Sequence, residues 1–500
     1  MRTRNGWWLA IVVFVCALLA GSASVSAQPK SAADPQAVLV KLLRERQSAD
    51  MALLALRATG DKELLPWLEA LAKSGDARLR QFAVACMTEL AGKDATRALA
   101  DRFIHDSDST VRIEALIALL GLDAIPADPL REALKSSDEN IQCIAARALV
   151  KLGQPDDVKP VLQKLIESKD LPTAAMARMS LLAIGNTAML APLRAIVRDV
   201  ETEPALVALL IEQAMEQKIK AAVPLLEDAL TATHLDDLMR VRAYRTLSAL
   251  DESAGARLGK AIADSDNRTF QCLMTRVLSD RTDAPVVLKR LAKEKGLPGI
   301  LARLELARRE EGFKGLAEPL AEAMELGHPI VVEYVMDCAK ADVKKDARAA
   351  DTYTPAFLTF IASVSRDESF MKREHISAAL MVKWLAELGS PKAVEGLKKL
   401  VTGRYDAVLR VTSTGLYKAE PSALVCDLAG PLLKSAYPDI QQDAALTLGR
   451  NGDKRATEFL TEIVTDKNKN PALQAAAAWY LLRVQGKTTQ AVTELAKQVK

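Results

Sequence analysis

Apolar side chains along this chain recur with the period of a helix, not with the alternation of a strand. In 108–121, DSTVRIEALIALLG, residues Val111, Ala115, Ala118 and Leu119 fall on one helical face. A polar turn followed by the same kind of run returns at 138–153 and 438–453. Between these runs stand shorter Leu-rich stretches: PWLEAL, PLREAL, PVLQKLI, PLRAIV, PLLEDAL. Their leading prolines belong to a series at Pro35, Pro66, Pro129, Pro160, Pro192, Pro224, Pro285, Pro319, Pro355 and Pro431, with several steps of 31 or 32 residues. Proline suits the first helical turn, where its missing N–H would have had no partner, so the series marks helix starts. Asp108, Asp138, Asp266 and Asn470 stand where an N-cap is needed. Gly121, Gly153, Gly185, Gly389 and Gly449 stand where a left-handed residue would close a helix. One such helix pair cannot bury its apolar stripe, whereas stacked pairs share a continuous core. The pattern predicts an all-α chain, an α-solenoid of about fourteen stacked helix pairs ending in a single helix near 489–499.

Composition agrees with close helix packing: Ala and Leu abound and aromatics are 4%. The first residues have a different layout. Arg2 and Arg4 precede the apolar run Trp7–Ala20, and small residues lead to Val25-Ser26-Ala27. This is the order of a secretory signal, cut after Ala27 and directing export to the periplasm or a secreted space. The run is about 14 residues, short of the roughly 20 that span a bilayer, and no later segment is long and apolar enough to do so. Loss of 1–27 removes two arginines and leaves 65 basic against 64 acidic residues. That balance gives no clustered basic footprint for nucleic acid.

With these units in view, the turn aspartate, Val-Arg and Ala-rich spacing to a closing Gly resemble HEAT repeats of the short kind also found in phycobilisome lyases. The resemblance runs from about residue 35 to 499 and implies a right-handed superhelix whose concave wall is lined by second helices. The arginine of such repeats matches Arg80, Arg112, Arg242 and Arg410, with Gln142, Gln271, Gln441 and Gln474 in other units. In such folds it forms a structural ladder with turn aspartates, here Asp108 and Asp138; a ligand-binding row is the alternative, since a long Arg or Gln can satisfy several acceptors.

The spacing breaks once, with about 45 residues between the helix starts at His328-Pro329 and Arg373-Glu374, against the usual period. The excess falls on the charged stretch AKADVKKDARAAD ahead of Tyr353. The expected division is a signal (1–27), an amino-terminal array (28–339), an irregular junction (340–372) and a carboxyl-terminal array (373–500). Six of the seven tyrosines follow residue 330. Aromatics concentrate in protein-binding hot spots, so Tyr353, Arg404 and Tyr405 are the candidate partner-binding residues.

Chemistry is sparse. Cys86, Cys143, Cys272, Cys338 and Cys426 remain after processing, with no CxxC. Cys86 and Cys143, like Cys272 and Cys338, lie two units apart, roughly 20 Å at ordinary helix spacing, beyond disulfide reach. Cys426, near a helix connection, is the most accessible candidate. The four histidines form no HExxH, and the His-Glu pairs by which HEAT-like deoxyhypusine hydroxylases hold iron are absent. No phosphate-cradling GxxxxGK[ST] or GxSxG elbow occurs. No catalytic, cofactor or metal residue is assigned. The expected function is a non-catalytic scaffold of the cell envelope or secreted space, binding a protein partner through the curved surface. The alternatives are a docking or regulatory subunit of an envelope enzyme, and a lyase-like enzyme or binder of glycan or cofactor.

Overall fold

The computed structural model describes residues 34–122, 127–254, 275, 284–364, 371–466 and 468–497. The signal sequence, Asp266, Gln271 and Cys272 lie outside them. The described chain is an α-solenoid of stacked helix pairs, with no strand among the described residues. Typical pairs are Thr96–His105 with Ser109–Gly121, and Val223–Thr231 with Asp237–Leu250. Asp108 and Asp138 accept the backbone N–H groups of residues two and three positions on, which satisfies donors that an α-helix leaves orphaned. Asn470 caps Pro471–Val484 in the same way. Val111, Ala115 and Leu119 are buried on one side, as their spacing requires.

The series prolines in the described helices fall in the first turn, with one exception. Pro355 lies inside Ala350–Ser363, which begins after a short turn capped by Asp346. The charged stretch before it is not a loop. Its first part completes the long helix Pro329–Lys345, so the extra spacing becomes extra helical turns. Gly449 also departs from expectation. It sits within Pro438–Arg450, and Gly452 (φ 74°) takes the left-handed closing position. Gly449 is needed for packing instead, because a Cβ there would lie 2.6 Å from Leu460 Cδ1 and 2.9 Å from Tyr480 Cβ. Gly121 likewise ends its helix without a positive φ.

Packing divides the chain into two compact units. One is Leu68–Ala323. The other joins residues up to Trp67 with Met324–Val499. In the second unit the first helix pair, Pro35–Arg44 and Arg46–Ala58, packs against Pro471–Val484, the second helix of the last pair. A linear stack leaves its terminal pairs with one neighbour each; here the two ends cover each other.

In each unit, second helices two pairs apart touch through their side chains. In Leu68–Ala323, Arg147 Nη2 lies 3.3 Å from Glu216 Oε2, and Gln217 Nε2 donates to the Arg147 carbonyl at 3.3 Å. These helices are two pairs apart, with Leu171–Ala183 between them. In the other unit the Tyr417 and Tyr480 hydroxyls meet at 3.4 Å across Pro438–Arg450. Long side chains thus bridge over the intervening second helix on this face.

Candidate interaction surface

In six of the described repeats the turn is held by a side chain four residues after the second-helix cap. Arg80 donates to the Ser74 and Gly75 carbonyls at 2.9 and 3.1 Å, and Arg112 to that of Asp106 at 2.9 Å. Gln142 donates to Leu134 and Ser136, Gln441 to Ser435 and Gln474 to Asp466. Position four is one turn into the helix, where a long donor reaches back to turn carbonyls that have no helical partner. In Asp237–Leu250 this position belongs to Arg240, which donates to the Leu230 carbonyl at 2.9 Å. Arg242, chosen in the sequence for its preceding Val, is exposed: the cap is Asp236, so the Val-Arg pair falls two residues too late. Arg410 is also displaced, pairing with Asp439 of the next repeat and lying over the Tyr437 ring, 5.4 Å from its centroid. Arg240→Ala should therefore cost about 1–2 kcal/mol through an unmet carbonyl, and Arg242→Ala less than about 0.5 kcal/mol; thermal melts of the two variants separate these outcomes.

Arg80 adds a bidentate bond to the buried Asp106, both N–O distances being 2.8 Å. Burial pushes the Asp106 carboxyl up, but Arg80, the Asp108 N–H and Arg102 outweigh it and hold its pKa below the usual carboxylate range.

The three candidate partner-binding residues separate. Tyr353 is 1% exposed and its hydroxyl donates to Asp342 Oδ2 at 2.7 Å. It packs on Phe357, which in turn meets the edge of Trp384 at 5.4 Å between centroids. Tyr353 lies in the first turn of the helix Ala350–Ser363, which turns it inward. Arg404 and Tyr405 are exposed, and Tyr405, 64% accessible, occupies the cap of Asp406–Lys418.

Unit Leu68–Ala323 carries a surface that the sequence reading missed. Three consecutive pairs expose an apolar side chain at the turn into the second helix: Leu171 (47%), Val200 (68%) and Leu238 (51%). The turns before Glu139–Lys151 and Leu171–Ala183 lie side by side, the Thr173 hydroxyl donating to Asn140 Oδ1 at 2.8 Å and Ser168 to Glu139, and the stacking of like pairs continues this edge through the next two turns. Around the three apolar tips, Glu167, Asp170, Asp199, Glu201, Glu203 and Asp236 are exposed, against Lys169 and Arg198. Arg198 is paired with Asp228. The edge is thus apolar and anionic. In sequence, Leu171 and Leu238 look like core leucines; only their place in the first turn of a capped helix faces them outward.

The described cysteines carry no sign of activation. Cys86, Cys143 and Cys338 are buried, and burial pushes the Cys143 thiol up to about 12. Cys426 is half-buried, and burial and Asp453 raise its pKa, the reverse of an activated thiol. Among the described residues no cluster of His, Cys, Asp or Glu is placed to hold a metal ion. No described helix is long and apolar enough to cross a membrane.

A model described as HEAT repeats matches residues 37–120, 127–209 and 427–500. No curated relative matches the sequence. Among solved structures, the chain is similar to the karyopherin Kap121p bound to the SUMO protease Ulp1p, at 14% identity and a TM-score of 0.31 over 94% of this chain and 55% of that one. It is similar to the UNC-45 chaperone at 14% identity and a TM-score of 0.33, covering 92% and 68%. Importin beta gives 14% identity and a TM-score of 0.34, covering 97% and 78%. The chain spans about half the length of the karyopherin.

Proposed function

Since this chain is a HEAT-repeat protein, we propose that it is a non-catalytic scaffold holding a protein partner along the turn edge of Leu68–Ala323. The observation that carries the reading is the row Leu171, Val200 and Leu238 on three successive pairs, set among carboxylates. A row of shallow apolar contacts sums to affinity without a deep pocket, and the surrounding anions favour an apolar, basic segment of the partner. The proposed setting is the periplasm or secreted space, reached through the signal cut after Ala27. Arg404 and Tyr405 offer a second, smaller exposed contact in the other unit.

Crosslinking in the native envelope, followed by mass spectrometry, should join a stoichiometric protein to this edge. Leu171→Ala, Val200→Ala and Leu238→Ala together should weaken its binding at least about tenfold. The melting profile should stay nearly unchanged, because all three side chains are exposed. Crosslinks confined to Tyr405 and unaltered binding by the triple variant would move the site to the other unit. A clean monomer carrying a small molecule would replace the scaffold reading with a binder's role.

A further inference from the structure

The covered end of the last repeat is chemically unusual. Trp479 is 0% exposed, and its only polar atom, Nε1, donates to Asp61 Oδ2 at 2.7 Å, from a residue 418 positions away. One helical turn on, Arg483 Nη2 pairs with the same Asp61 oxygen and lies 3.3 Å from Glu63 Oε1. Arg483 Nη1 donates to the Arg450 carbonyl at 3.2 Å, and Arg450 donates to the carbonyls of Tyr417 and Ala419. A row of cations therefore closes successive second helices, and its final member ends on an acid from the first repeat. The first pair contributes buried Leu39, Leu42, Leu53 and Leu56, while Asp61 caps the turn Lys62–Leu64.

This occupant is held to its unit without a covalent connection inside it. Residues up to Trp67 rejoin Met324–Val499 only through chain that belongs to the other unit. Its helices, Pro35–Arg44 and Arg46–Ala58, are shorter than helices that persist alone in water. The fit also leaves something unmet: Arg483 Nε is buried without an acceptor. A carboxylate set side-on could take Nε and Nη2 together.

We propose that the Trp479–Arg483 face is a docking site for an apolar helix pair followed by a carboxylate-bearing turn, and that residues 34–67, through Asp61 and Glu63, occupy it as an intramolecular ligand which an external segment of the same chemistry can displace. Because the segment belongs to the same chain, its rebinding is intramolecular, so the closed state prevails until a better-matched or concentrated competitor arrives. Release would expose Trp479 and leave the Arg483 cation without its acid.

The test uses the full chain and a labelled synthetic peptide spanning residues 34–67. The wild-type chain should bind it weakly. Asp61→Ala with Glu63→Ala should loosen the resident segment and raise peptide affinity at least tenfold, with Trp479 emission shifting to the red before peptide is added. Arg483→Ala in that background should abolish the gain. Concentration-dependent dimers that exchange their first helix pairs would equally support the site, with a second copy as occupant. If the double variant keeps full hydrogen-exchange protection over 471–484 and takes up no peptide, the contact is permanent packing and the proposal fails. Should that variant not fold, exchange in the wild-type chain decides. Opening of 35–58 separately from 438–450 supports displacement, and exchange of both only by global unfolding overturns it.

Discussion

Replacing Arg80 by alanine is expected to destabilise its part of Leu68–Ala323 by about 3–5 kcal/mol, the usual cost of leaving one member of a buried ion pair behind. The expectation rests on what stays after Arg80 is removed. Asp106 has a fully buried side chain, and its remaining charged neighbour, Arg102, reaches only one oxygen at 3.3 Å. The Ser74 and Gly75 carbonyls lose their donor too. Hydrogen exchange over 77–121 reads the loss locally, which matters because a chain of two units need not unfold in one step. Replacing both Arg80 and Asp106 by apolar residues should cost less than the two single losses combined. The pH dependence has a definite sign. The folded pKa of Asp106 lies below its unfolded value, so its contribution is complete above the unfolded value, near 3.9, and disappears as pH falls through the folded one. A local stability in 77–121 that is unchanged by the Arg80 substitution would remove this account.

Asp443 should behave in the opposite way. Burial pushes its carboxyl up to about 6, against the opposing pull of bonds from Thr414 and Ser413 and of the Lys418 and Arg410 charges. Thr414 Oγ1 lies 3.0 Å and Ser413 Oγ 3.2 Å from Asp443 Oδ2. The folded state then binds its proton more tightly than the unfolded chain does. Stability associated with Asp443 is greatest below the unfolded value, near 3.9, and falls as pH rises through about 6. Asp443→Asn keeps the shape and removes the buried charge. It should stabilise Met324–Val499 by about 3 kcal/mol at pH 8, with the difference vanishing near pH 4. Denaturation of wild type and variant at the two pH values checks this. An asparagine that destabilises at pH 8 would mean that the carboxylate is better solvated than its surroundings imply.

These two aspartates illustrate how differently local and distant information enter the chain. Asp108 and Asp138 were legible as caps because a cap acts on N–H groups two and three residues away. Asp106, two positions from Asp108, carries no such local mark, and its role depends on Arg80 arriving from the preceding repeat. The ladder arginines were legible as a class, but their register depended on where each helix begins. A cap at Asp236 moved the role from Arg242 to Arg240. Among the proposed contact residues, Tyr353 faces the core, because its helix begins at Ala350, ahead of Pro355, the residue expected to mark its start.

The sequence by itself determined the all-helical class, the pairing of helices, most helix starts and the absence of recognisable catalytic motifs. These properties depend on periodicity, capping and proline geometry within about one helical turn. Tertiary structure alone decided the division into two units, the outward row of Leu171, Val200 and Leu238, and the meeting of Asp61 with Trp479 and Arg483. The physical reason is the repeat itself. Every pair offers nearly the same apolar faces to a neighbour, so local pattern says that a face must be covered without saying by which pair. The first pair meets the last through contacts between residues more than 400 positions apart, which no local pattern encodes.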